Sequence, residues 1–139
     1  MSVFQNQSKQ IFTVALLGAI SVALGALGAH ALKNQLPGGL ITQDQLNGFD
    51  TAARYQMYHA LAMLMVLLIN KDDNYKLLKW AYRCFLIGIV LFSGSLYFLT
   101  TRNLLGIEGL KVLGPVTPLG GLFFIAGWLL LALQGLKKR

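Results

Sequence analysis

Nine side chains on or beside apolar stretches of this 139-residue chain are of types that could do chemistry: His30, Arg54, Tyr55, Tyr58, His59, Ser93, Ser95, Tyr97 and Thr117. On a helix, Tyr55, His59 and Met63 share one face at four-residue spacing. Arg54 and Tyr58 share the neighbouring face, with Asp50 one turn before Arg54. Two histidines suggest a metal or a haem, but they fall at different depths and no third ligand stands at metal spacing. Ser93 or Ser95 with His59 would begin a hydrolase triad, but no carboxylate lies in the apolar stretches to orient the base. A transport path would place its charges nearer the membrane midplane. No catalytic set, metal site or cofactor is expected, and the balance leans away from an enzyme. An ionisable group at membrane depth is costly and points to function by default. The competing structural readings are specific. Arg54 pairs with Asp50 or snorkels. His59 stays neutral and makes one interhelical hydrogen bond to Ser93, Ser95 or a carbonyl. The tyrosines form an interfacial belt.

These residues must be held by membrane helices. The chain is 55% hydrophobic and 12% charged, against about 45–50% and about 25% for soluble domains. Four apolar stretches stand out: Ile11 to Ala29, Ala52 to Ile69 (interrupted by Arg54, Gln56 and His59), Trp80 to Leu99, and Val116 to Leu133. Each approaches the roughly 20 residues that cross a hydrocarbon core of about 30 Å, and only helices satisfy an open-ended backbone there. The expected fold is all-α: a single membrane domain over 1–139, an integral four-helix bundle with spans at about 11–31, 51–69, 79–99 and 116–135. Lys9 and Ala29-His30-Ala31 resemble parts of a signal peptide, but the apolar run exceeds the usual 7–15 residues or so. The single cysteine, Cys84, allows no internal disulfide and reads as a packing residue. Between the spans, Pro37-Gly38-Gly39 signals a turn, Thr42 to Asp50 suggests a short interfacial helix, and Asp50 or Thr51 suits an N-cap. Asn70 to Asn74 reads as a tight polar turn.

The net charge of +7 does not indicate nucleic acid, because the basic residues flank apolar runs instead of forming one patch. Lys9, Lys71, Lys76, Lys79, Arg83, Lys137, Lys138 and Arg139 fall on one side; Lys33, Arg54, Arg102 and Lys111 fall on the other. The positive-inside rule then places both termini in the cytoplasm. With that topology the candidate residues converge in the outer leaflet, leaving the cytoplasmic halves aliphatic. At 1.5 Å per residue, His59 is expected on the order of 10 Å below the outer end of its helix. Small residues mark the faces along which membrane helices meet: Ser21, Gly25 and Ala29; Gly88, Ser93, Gly94 and Ser95; Gly120, Gly121, Ala126 and Gly127. They serve packing within the bundle or a homodimer.

Four segments carry a resemblance: Gly25-Ala26-Leu27-Gly28-Ala29-His30-Ala31-Leu32, Tyr55-Gln56-Met57-Tyr58-His59-Ala60-Leu61-Ala62, Phe92-Ser93-Gly94-Ser95-Leu96-Tyr97, and Leu113-Gly114-Pro115-Val116-Thr117-Pro118-Leu119-Gly120-Gly121 running on to Ala126-Gly127-Trp128. In this order they resemble a family of small uncharacterised membrane proteins, typified in bacteria by YgdD and YwdK and in eukaryotes by transmembrane protein 256. The resemblance implies a four-helix bacterial inner-membrane protein and no particular reaction. The functional expectation is an outer-leaflet polar pocket lined by His30, Tyr55, His59, Ser93, Ser95, Tyr97 and Thr117, with Arg54 and Tyr58 beside it. It would bind membrane lipid, a lipophilic ligand or a partner helix. The alternatives are an accessory subunit of a membrane complex, as homo-oligomer or with a partner protein, and a membrane enzyme acting on lipid.

Overall fold

The computed structural model describes residues 3–70 and 75–137. Lys71, Lys138, Arg139 and the remainder of the expected turn at 71–74 lie outside them. The described residues form helices and turns, and four segments are long and apolar enough to cross a membrane: 7–35, 43–69, 76–105 and 108–136. Helix α1 (Val3–Leu27) runs on through a π-helical turn (Gly28–Leu32) and a 3₁₀ turn (Lys33–Gln35). Helix α2 is Gln43–Ile69. Helix α3 (Lys76–Gly88) passes through a second π-helical turn (Ile89–Ser93) into α4 (Gly94–Leu105), and a 3₁₀ segment (Glu108–Leu113) leads to α5 (Val116–Leu136).

Two expectations about boundaries change. The polar stretch after Thr42 is no separate interfacial helix; it forms the first turns of α2. The N-cap is Thr42, whose hydroxyl accepts from the Gln45 backbone N–H while Gln45 Oε1 accepts from the Thr42 N–H. This capping box outcompetes a cap at Asp50 or Thr51 because it satisfies two orphan donors at once. His59 therefore lies about 24 Å along the axis from Gln43 at 1.5 Å per residue, and Gln56 is the central residue of α2. Helix α4 also continues beyond the expected span and stops at Gly106. There φ of +66° lets the Ile107 and Gly106 N–H groups bond the Arg102 and Asn103 carbonyls, a Schellman ending.

Helix α1 packs on α2, α2 on α3 and α4, and α3 on α5. Lipid tails are as apolar as leucine, so these contacts rest on close fit and hydrogen bonds. Between α3 and α5 the fit is reciprocal. Phe124 fills the space a side chain at Gly88 would need, Phe85 does the same at Gly127, and the Phe92 backbone presses on Gly120. Between α1 and α2 the small-residue ladder is only partly used. Ser21 is buried and donates to the Ala53 carbonyl at 2.8 Å, and Gly28 admits the Phe49 ring. A Cβ added at Gly25 would meet nothing within 4 Å, and Ala29 is exposed. The main core joins Met63, Val66, Leu78, Phe85, Ile89 and Phe124, and a smaller one joins Leu32, Ile41 and Phe49 at the end carrying the first and third loops. The outer helices are thinly covered: 17% of the apolar window is buried in each of 7–35 and 108–136, against 50% in 43–69.

Candidate functional site

The nine candidate residues do not line one pocket. They resolve into separate arrangements, each with its own partners.

His59 is enclosed. It is 5% exposed and its ring lies flat on Phe124, with centroids 3.5 Å apart and planes within 7°. The Phe85 ring lies 5.5 Å away. Nδ1 is 2.8 Å from the Tyr55 carbonyl, and Trp128 Nε1 is 3.3 Å from Nε2. An indole N–H only donates and a carbonyl only accepts. The imidazole is therefore the neutral tautomer protonated at Nδ1, and both nitrogens are used. Of the expected partners, Ser93, Ser95 or a carbonyl, neither serine bonds His59: the carbonyl is that of Tyr55 on its own helix, and the interhelical bond comes from Trp128 of α5. Ser93 is fully buried, and its hydroxyl has no partner among the described residues.

Arg54 is exposed and ion-paired with Asp50, one turn earlier on α2. Tyr58 is exposed, as is His30 on the π-helical turn ending α1. Tyr55 stacks on Phe92 with centroids 4.9 Å apart. These four belong to the periphery of the bundle, which separates them from its interior polar groups.

The interior polar network centres on Gln56, which the sequence marked only as an interruption of an apolar span. It is 3% exposed. Its Nε2 donates to the Leu17 carbonyl of α1 at 2.8 Å, and its Oε1 accepts from the Tyr97 hydroxyl of α4 at 3.0 Å. One amide thus ties three helices. The available signal was its chemistry: an uncharged amide at mid-span must find partners on neighbouring helices. Beside it, Ser95 lies 3.1 Å from the Phe92 carbonyl and 2.6 Å from the Thr117 hydroxyl. Ser95 donates to the carbonyl, leaving Thr117 as donor to Ser95.

Gln56, Ser95 and Tyr97 also form the polar floor of an otherwise apolar groove of about 640 Å³. Its walls are Leu17, Ile20 and Leu24 of α1; Ile89 to Leu91, Gly94 and Phe98 of the α3–α4 helix; and Leu110, Leu113 and Val116 leading into α5. It opens to one side of the bundle. The volume falls in the range of about 300–1,000 Å³ typical of small-molecule sites. Gly94 keeps it deep, because a Cβ built there meets nothing within 4 Å. Of the nine candidates only Ser95 and Tyr97 line the groove, and Thr117 reaches it through Ser95. No group of three or more His, Cys, Asp or Glu side chains capable of holding a metal ion occurs among the described residues.

Residues 24–121 match the family model described as "Protein of unknown function (DUF423)". The chain is 38% identical over 133 residues to a UPF0382 membrane protein of Haemophilus influenzae, covering 96% of this chain and 98% of that protein. It is 37% identical over 127 residues to the UPF0382 membrane protein YwdK of Bacillus subtilis, covering 88% and 94%. A UPF0382 membrane protein of Staphylococcus epidermidis is 38% identical over 123 residues, covering 88% and 91%. No solved structure matches the chain.

Proposed function

This chain belongs to the DUF423 family of proteins of unknown function, and we propose that, as a multi-pass membrane protein, it holds a lipid or lipophilic chain in the groove between α1 and α4. The observation that carries the reading is the groove itself: about 640 Å³ of apolar volume with Gln56, Ser95 and Tyr97 at its floor. His59 supports the groove from behind, through the α2–α3–α5 core, and is not a ligand contact. The positive-inside count supports a topology with both termini cytoplasmic; with that topology the groove runs from mid-span, at Gln56, toward the outer surface.

Lipid retention tests the reading. A Cβ at Gly94 meets nothing within 4 Å, so Gly94→Phe starts its side chain in open space at the groove. Wild type purified in mild detergent retains lipid detected by mass spectrometry, and the variant loses most of it while keeping its helical content. Equal retention by the two proteins overturns the reading.

A second reading, an accessory subunit of a membrane complex, is favoured by the thin coverage of α1, where a Cβ added at Gly18 or Gly25 would meet nothing within 4 Å. A stable partner recovered with the protein in mild detergent, and lost on Gly25→Leu, supports it.

A further inference from the structure

An acyl chain leaving bulk lipid for an apolar groove gains little, because both surroundings are equally apolar. Selectivity must come from a polar group at one end of the groove, and its geometry names that end. Gly94, Phe98 and Arg102 follow one another at four-residue spacing on α4, so they share a face. The first two line the groove, and Arg102 stands one turn beyond. On the opposite wall, Leu110 and Leu113 of the 3₁₀ segment line the groove, with Lys111 between them.

Arg102 differs from the other arginine at this end of the bundle. Arg54 is paired with Asp50. Arg102 spends one donor on the Leu99 carbonyl at 2.5 Å, its Nε is buried without a partner, and no ion pair forms on it among the described residues. The nearby carboxylate, Glu108, is taken by Lys111 at 2.5 Å. A guanidinium with spare donors at the rim of an apolar groove is unsatisfied, and its planar fork matches phosphate oxygens.

We infer that the Arg102 end of the groove is a phosphate subsite and that the groove's occupant is an anionic phospholipid. The inference rests on the groove reading above. Arg102 and Lys111 share the single carboxylate of Glu108, and the net positive charge that remains matches a net-anionic headgroup. A zwitterionic headgroup brings an ammonium whose nearest carboxylate is already paired.

The test is native mass spectrometry of the full chain in detergent, titrated with phosphatidylglycerol, phosphatidylethanolamine and diacylglycerol of identical acyl chains. Wild type binds phosphatidylglycerol about tenfold or more tightly than diacylglycerol, the scale of charge-assisted hydrogen bonds, with phosphatidylethanolamine between. Arg102→Gln abolishes that preference and leaves diacylglycerol binding unchanged, Arg102→Lys keeps most of it, and Gly94→Phe weakens all three. If wild type binds the three lipids alike and Gly94→Phe still weakens them, the groove stands and the phosphate inference is overturned. If Gly94→Phe binds lipid like wild type, both are overturned. A lipid-free dimer that Gly94→Phe dissociates assigns the groove to a second copy's helix and also overturns the inference.

Discussion

The indole N–H of Trp128 points at Nε2 of His59 across 3.3 Å, fixing the one histidine at membrane depth as a neutral donor through Nδ1. A residue type that suggests catalysis is thereby committed to joining α5 to α2. The ¹⁵N resonances of the imidazole should place the proton on Nδ1. Trp128→Phe keeps the ring, removes the donor and should cost about 1 kcal/mol of stability, the usual net worth of one hydrogen bond. A proton on Nε2 in wild type would refute the assignment.

The interlocking of α3 and α5 makes two glycines intolerant of even a methyl group. A Cβ at Gly127 would come within 2.5 Å of the Phe85 ring. Gly127→Ala should lower stability in detergent by about 1–3 kcal/mol of overpacking, outweighing the roughly 1 kcal/mol by which alanine favours helix over glycine. Gly94→Ala, in open space, should be neutral or stabilising. Thermal unfolding of the two variants side by side checks both signs.

The Gln56–Tyr97 bond should behave as an interhelical bond in lipid. A double-mutant cycle with Gln56→Leu and Tyr97→Phe should give a coupling energy of about 0.6 kcal/mol, up to about 1.7 kcal/mol. No coupling would show that the hydroxyl finds another partner.

Ser93 carries a buried hydroxyl with no partner among the described residues. An orphan polar group costs about 1–3 kcal/mol, so Ser93→Ala should leave stability unchanged or raise it. A clear loss of stability would show that the hydroxyl is bonded.

The sequence made the four spans legible because they rest on length and apolarity, which the bilayer enforces on any chain. Their ends were less legible. Thr42 caps α2 eight or nine residues before the expected cap at Asp50 or Thr51, because a capping box overrides hydropathy outside the hydrocarbon. The inventory of polar residues at membrane depth was legible, but their grouping was not. Whether Ser95 or Trp128 reaches His59 depends on how α5 rotates against α3, and that follows from which phenylalanine meets which glycine. Gln56 escaped notice for the same reason. Nothing local distinguishes an amide that bridges three helices from one that merely interrupts a span. The groove as a volume was not legible: Gln56, Gly94, Ser95 and Tyr97 lie in the segments that carry the resemblance, but the aliphatic walls from Leu17, Ile20, Leu24, Ile89 and Val90 carry no chemical signal.

The occupant of the space between Leu17 of α1 and Gly94 of α4 decides what the protein does. A high-resolution map of the protein in lipid nanodiscs containing phosphatidylglycerol tests this most directly. It should show elongated density along Gly94 and Phe98, ending in a compact density within hydrogen-bond reach of Arg102. A groove closed by contact between α1 and α5, or filled by a helix of another copy, would contradict it.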